Sequence, residues 1–411
     1  MLELSSLQSV AETYIGMVTE ASEPASKLTH IHHAEDRPLL HGSEGFKHAH
    51  GALQHAHEHM KAGKHNTSLT MKYDGSPAVI FGHHPQTKKF FVATKSAWNK
   101  TPKLAHTDAE VEHHYGHAPG LAHKLKSALH HLPKVTPQHG VYHGDLLHTP
   151  EDHKVHKNGS VSFTPNTITY TAHGHEAEQV KKSKVGVVVH TQYHEHPKHP
   201  GSLQHMTASP HPDTHNFKSH PDVHFKTAEH DTSKIDYPKK DQSEFASHMH
   251  AAKAIHDKHG SKMYDRTEKH RGAGGHLSTY INQTVRTGEK PTTQGFQKHL
   301  SHHYENKASK LKTSAGQEKQ RSFGASHVAH VAKHEKHYGN LLAMHHHLQQ
   351  AKNVLVRNLE KHEGGLEHHI NGKKSKPEGF VINHKHGGRE EPTKLVNRAE
   401  FARANLLKKR D

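Results

Sequence analysis

The chain has 411 residues, no cysteine, 57 histidines and a net charge of +15; 31% of its residues are hydrophobic and 6% aromatic. The missing cysteine excludes a disulfide framework, a thiolate zinc site and a cysteine nucleophile, and no stretch approaches the roughly 20 apolar residues of a membrane-spanning helix. The length suits two domains, or one domain with a large insertion, at roughly 150 residues per domain, and with no basic leader ahead of an apolar run a soluble, cytoplasmic, non-membrane protein is expected.

In chain order, Ser5 to Glu20 reads as a helix, as does Glu44 to Met60, where Phe46, Ala49, Leu53, Ala56 and Met60 recur at helical spacing. Thr67 to Tyr73, Ala78 to Phe81 and Lys89 to Thr94 are short β-prone runs bounded by Gly75, Gly82 and Pro85, so strands joined by tight turns are predicted. Pro119 to Leu132 returns to helix. His139 to Leu147, Ser160 to Phe163, Thr167 to Thr171 and Lys184 to Thr191 read as strands again, the last with the unbroken apolar run of a buried one.

From His194 to His224 proline, histidine, serine and threonine dominate without period, as in a linker. Asp241 to Glu363 is mostly helical, punctuated by Gly272 to Gly275 and Pro291. Strands return at Gly379 to Asn383 and Thr393 to Val396, and a short helix follows from Arg398 to Leu407. The fold class is therefore α+β. The expected division is an N-terminal helical segment over 1–64, a first core part over 65–193, a linker and helical insertion over 194–376, and C-terminal core strands over 377–411.

The positive balance attracts polyanions such as nucleic acid. Lys307, Lys310, Lys312, Lys319 and Arg321 in the helical region have the makings of a backbone track, although a solvated helical face has the same composition. Histidine clusters such as His55, His57 and His59 are what this density produces by chance, and no His-Glu-x-x-His pattern occurs. The histidines are expected to be surface substitutions. No P-loop and no dinucleotide glycine signature is present.

Lys72-Tyr73-Asp74-Gly75 places a lysine at the end of a predicted strand, just before a glycine turn, with Asp74 on the same side two residues on. This string resembles motif I of the covalent nucleotidyltransferases, the superfamily of ATP-dependent DNA ligases, RNA ligases and mRNA capping enzymes. Other segments fall in that family's order. Phe90 to Ser96 is similar to the strand that ends in a basic residue, here Lys95. His139 to Leu146 resembles motif III, ending in Gly144-Asp145, and Ser162-Phe163-Thr164-Pro165 falls where an aromatic stacks on the base. Pro377-Glu378-Gly379-Phe380-Val381-Ile382 resembles motif IV, and Lys394-Leu395-Val396 motif V.

The resemblance implies a ligase-like fold, with antiparallel sheets flanking a nucleotide cleft, and Lys72 as the nucleophile that carries AMP. It implies nucleotide contacts from Asp74, Gly75, Lys95, Asp145, Phe163 and Lys394, a metal held by Glu378 and Asp145, ATP and Mg²⁺ as cofactors, and transfer of AMP to a nucleic-acid 5′-phosphate. The chain departs from the family where Ser76-Pro77 follow motif I, where Asp145 replaces glutamate, and where Val396 stands in place of a second lysine. Lys184 to Val189 competes for the motif IV place at the ordinary spacing but lacks the glutamate. The arrangement also resembles hypothetical proteins of large tailed phages, through Lys72 to Gly75, Gly144 to Leu146, Thr164-Pro165-Asn166-Thr167-Ile168-x-Tyr170 and Lys394 to Phe401. The alternative reading is a catalytically decayed phage protein of ligase fold that binds nucleic acid or a protein partner.

Overall fold

The computed structural model describes residues 31–63, 68–210, 212–270, 275–362 and 364–398. The helix expected over Ser5 to Glu20, Thr67, Gly272 to Gly274 and the segment beyond Arg398 lie outside the described residues. Residues 78–144 with 191–218 form one compact unit; the described residues of 30–77, 145–190 and 219–398 form a second.

In chain order, α1 (Arg37–Ala62) is followed by β1 (Leu69–Lys72), β2 (Ala78–His83) and β3 (Phe90–Ala93). Then come α2 (Asp108–Tyr115), α3 (Pro119–His131), β4 (Val141–His148), β5 (Lys154–Val155), β6 (Val161–Phe163) and β7 (Thr169–Ala172). Next are α4 (Gly174–Lys182), β8 (Val185–His194), β9 (Thr207–Ser209) and β10 (Val223–Thr227). The helical run is α5 (Lys239–Thr267), α6 (His276–Thr287), α7 (Thr293–Ala308), α8 (Ser314–Lys333) and α9 (Glu335–Leu359). Strands β11 (Glu367–Ile370), β12 (Lys373–Lys374), β13 (Gly379–His386) and β14 (Arg389–Leu395) close the described chain. The protein is mixed α+β with several sheets.

The second unit holds two antiparallel sheets, β1-β13-β14 and β12-β11-β7-β6-β5. The C-terminal strand β13 pairs directly with β1, Leu69 opposite Ile382 and Lys72 opposite Gly379. The helices between them are thus an insertion in sequence, yet they share one apolar core with the sheets: Phe245, Met249, Leu341, Leu348 and Leu355 are buried in the same cluster as Phe46, Met71, Phe163 and Phe380. Burying such side chains contributes about 1.5–3 kcal/mol each, so the helical block stabilises the strands instead of hanging beside them. Helix α1 runs over this core, kinked at Gly42.

Two expectations need correction. Part of the 194–224 segment is ordered sheet and not linker: β9 pairs with the end of β8 in the first unit, and β10, starting at Val223, pairs in parallel with the beginning of β8 in the second. That parallel pair also means that the sheets are not purely antiparallel. The histidines are not mainly superficial either. His148, His224, His230, His345 and His368 are all buried; hydrogen bonds hold the first four, and His368 packs edge-on against the Tyr170 ring.

In the first unit β2 pairs with β3, Ile80 opposite Ala93, and Phe91, Val141, Tyr193 and Met206 share a core there. Helix α2 carries a capping box, in which Thr107 and Glu110 satisfy each other's backbone N–H groups.

Candidate functional site

Strand β1 alternates strictly. Leu69 and Met71 are buried in the core, whereas Thr70 and Lys72 point to the opposite face, which they share with their partners Val381 and Gly379 and, one strand further, with Lys394 opposite Val381. Lys72 and Lys394 therefore lie on one face of a three-stranded sheet. Directly across from Lys72 stands Gly379, at φ 153°, where a Cβ would meet the Leu395 carbonyl at 2.8 Å and the Val396 side chain at 2.6 Å. No side chain from that position covers the lysine.

Glu378 immediately precedes this glycine, and its Oε2 accepts from Lys72 Nζ in a close ion pair. The Lys72 side chain is 31% exposed and that of Glu378 12%. Burial pushes the Glu378 carboxyl above its usual range; the Lys72 charge and hydrogen bond oppose this, the Asp74 charge adds to it, and the Lys394 charge opposes it more weakly. The carboxylate thus feels both lysines.

Beyond Lys72 the ladder stops. Asp74 is buried, and its carboxylate is committed to protein donors: Asn166 Nδ2 donates to Oδ1 at 2.8 Å, and the Thr167 and Ile168 N–H groups donate to Oδ2 at 2.6 and 2.8 Å. Three of the carboxylate's acceptor sites are thus taken by the segment 166–168. Gly75 lies against the start of the second-unit part of β4. A Cβ there would meet the Asp145 Cβ at 2.5 Å, and on either side Ser76 N–H donates to the Leu146 carbonyl and Leu146 N–H to that of Pro77. Gly75 therefore serves a close strand approach that a side chain would forbid. Asp145 is partly exposed, with His190 Nε2 3.7 Å from its Oδ2.

Two expected residues have a different local setting from the one predicted. Phe163 is 1% exposed, its ring packed at 4.4 Å from that of His148 and 5.7 Å from that of Tyr170, so it is core and offers no free face to a base. Lys95 does not end a strand: it begins the one-turn helix Lys95–Trp98, capped by Thr94, and is an exposed residue of the first unit. In the second unit the structure pairs Lys72 with Glu378, sets Lys394 on the same sheet face and Asp74 within the electrostatic reach of Glu378, and places Asp145 against Gly75. Asn166 and Tyr170 join them without having been singled out as site residues; the signal available was the Thr-Pro-Asn-Thr-Ile-x-Tyr string itself.

The chain belongs to a family of unknown function, DUF6267, whose model matches residues 28–410. No curated protein and no solved structure matches it. No helix among the described residues is long and apolar enough to cross a membrane.

Proposed function

We propose that the protein is a ligase-like nucleotidyltransferase that carries AMP on Lys72. The observation that carries this reading is the part-buried Lys72–Glu378 pair at the end of β1, with Lys394 on the same sheet face. Lys72 must lose a proton before Nζ can attack. Glu378 touches that amine, and burial raises its carboxyl's affinity for a proton, so it is the group that takes the proton. Nζ then forms a bond to the α-phosphorus of ATP, the bond from that phosphorus to the bridging oxygen breaks, and pyrophosphate leaves with the electron pair. Lys394 stabilises the charge that develops on the phosphate oxygens.

Glu378 and Asp145 are hard oxygen donors of the class Mg²⁺ takes, one or two carboxylates completed by water and substrate phosphate, and Glu378 would serve in its ionised form, before it takes the Lys72 proton. Such an ion would shield the phosphate charge. In the second half-reaction a nucleic-acid 5′-phosphate oxygen attacks the same phosphorus, the P–N bond breaks, and AMP passes to the nucleic acid. The net charge of +15 favours a polyanionic acceptor.

A second reading is a binding-only protein that retains the fold. Val396 in the second cation place and the exposed Lys307, Lys310, Lys312 and Lys319 favour it. ATP–pyrophosphate exchange separates the two. Exchange that requires Lys72 supports transfer; no exchange, together with salt-sensitive nucleic-acid binding indifferent to Lys72→Ala, supports binding alone.

A further inference from the structure

The string Thr164-Pro165-Asn166-Thr167-Ile168-x-Tyr170 takes no part in the chemistry above, yet four of its groups converge on one residue of the lysine motif. Asn166 Nδ2, Thr167 N–H and Ile168 N–H donate to the Asp74 carboxylate, and the Asp74 N–H in turn donates to Tyr170 Oη at 2.7 Å. These partners are 92 to 96 residues from Asp74 in sequence, so the contact is not a local turn that any Asp-Gly pair would make.

Its location gives it a use. Lys72 is the last residue of β1. On its N-terminal side the backbone is held by pairing with β13 on one edge and by residues 228–230 on the other, through Met71 N–H to the Ala228 carbonyl and His230 N–H to the Leu69 carbonyl. From Tyr73 to Gly75 no strand is formed. A strand end without a ladder is soft, and a flexible lysine on it loses alignment. A buried carboxylate taking three donors is a stiff, charge-assisted substitute for the missing ladder. The clasp also reaches the chemistry. Burial is the main reason that the Tyr170 hydroxyl resists ionisation, and the charges of Asp74, Tyr73 and Glu378 push it further in the same direction, so it shares its electrostatic surroundings with the carboxylate paired with Lys72.

We infer that Asn166 and Tyr170 are positioning residues for Lys72, acting through Asp74. The functional consequence rests on Lys72 being the nucleophile; the mechanical one does not. A displacement of about 1 Å at a reacting atom costs about 100-fold in rate.

The test uses the full chain with Asn166→Ala and, separately, Tyr170→Phe, which removes the accepting oxygen and keeps the packed ring. One readout is single-turnover nucleotidylation of Lys72 across ATP concentrations. The other is trace acetylation of all lysines, read by peptide mass spectrometry as the ratio of Lys72 to Lys226, a lysine of the same unit paired with Glu176 outside the clasp. The expected result is a fall of about 10- to 100-fold in maximal rate with little change in the ATP concentration at half-saturation, and a several-fold rise in Lys72 acetylation as its pair with Glu378 loosens. Folded variants with wild-type acetylation ratios would overturn the clasp. If the wild type transfers no nucleotide, the transferase reading fails, and the acetylation ratio still decides the clasp. If Asn166→Ala does not fold, Tyr170→Phe decides it.

Discussion

Two lysine–glutamate pairs in the second unit invite comparison. Lys352 Nζ donates to Glu35 Oε1 at 2.5 Å with both side chains 0% exposed, and Arg398, Asp36 and His345 extend the pair into a closed network. Lys72 and Glu378 sit at a strand end with the lysine 31% exposed. Their carboxyls move in opposite directions. Burial would raise Glu35, but the nearby cations, Lys352 first, outweigh it and hold it below its usual range, whereas at Glu378 burial outweighs Lys72 and Lys394. A carboxylate surrounded by cations is locked as an ion and serves as scaffold. One whose proton affinity burial raises, beside an accessible amine, is equipped to move a proton.

The interior should be the part that acid breaks. His230 and His368 are each 1% exposed, and burial above all pushes both down to about 4 from 6.5. Their folded values lie below the unfolded one, so the stability they contribute is complete above pH 6.5 and is lost as pH falls toward 4. The loss is on the order of 3 kcal/mol for each. Urea midpoints at pH 7.5 and 4.5 measure it, and His230→Gln should flatten the dependence.

Breaking the interior pair comes next. Lys352→Ala strands Glu35 in the core and should cost about 3–5 kcal/mol, while Lys352→Met combined with Glu35→Leu should recover most of that; denaturant unfolding decides. At the strand end the effect moves from stability to rate. Glu378→Gln should slow nucleotidylation about 100-fold, equivalent to about 2.7 kcal/mol in the barrier, with stability nearly unchanged. The smallest effect expected is that of Lys72→Ala on stability, about 1 kcal/mol or less, because Glu378 can protonate once its partner is gone. A large loss there would mean that the strand-end pair is scaffold after all.

The strands around Lys72 were legible because the β-prone run over Thr67 to Tyr73, closed by Gly75, and the Glu-Gly step before β13 are local signals. The return of β13 to pair with β1 was also legible, from strands reappearing after a helical block. What failed was non-local. Nothing local marks Asp74 as the acceptor for a segment more than 90 residues on, and Phe163 carries no sign that both its faces are covered. Helix α4 was missed because it is only 9 residues long, too short for periodicity to speak. Helix α2 could have been found, since Thr107 and Glu110 spell a capping box. Lys95 was misplaced because Thr94, read as strand, caps a turn.

The most direct measurement is to incubate wild-type protein and Lys72→Ala with Mg²⁺ and ATP or GTP labelled at the α-phosphate, and to look for label that survives denaturing electrophoresis and is released by acid. The account predicts label from ATP on the wild type and none on Lys72→Ala. Equal labelling of the two would contradict Lys72 as the nucleophile, and no label on folded wild type with either nucleotide, with Mn²⁺ as well, would contradict nucleotidyl transfer itself.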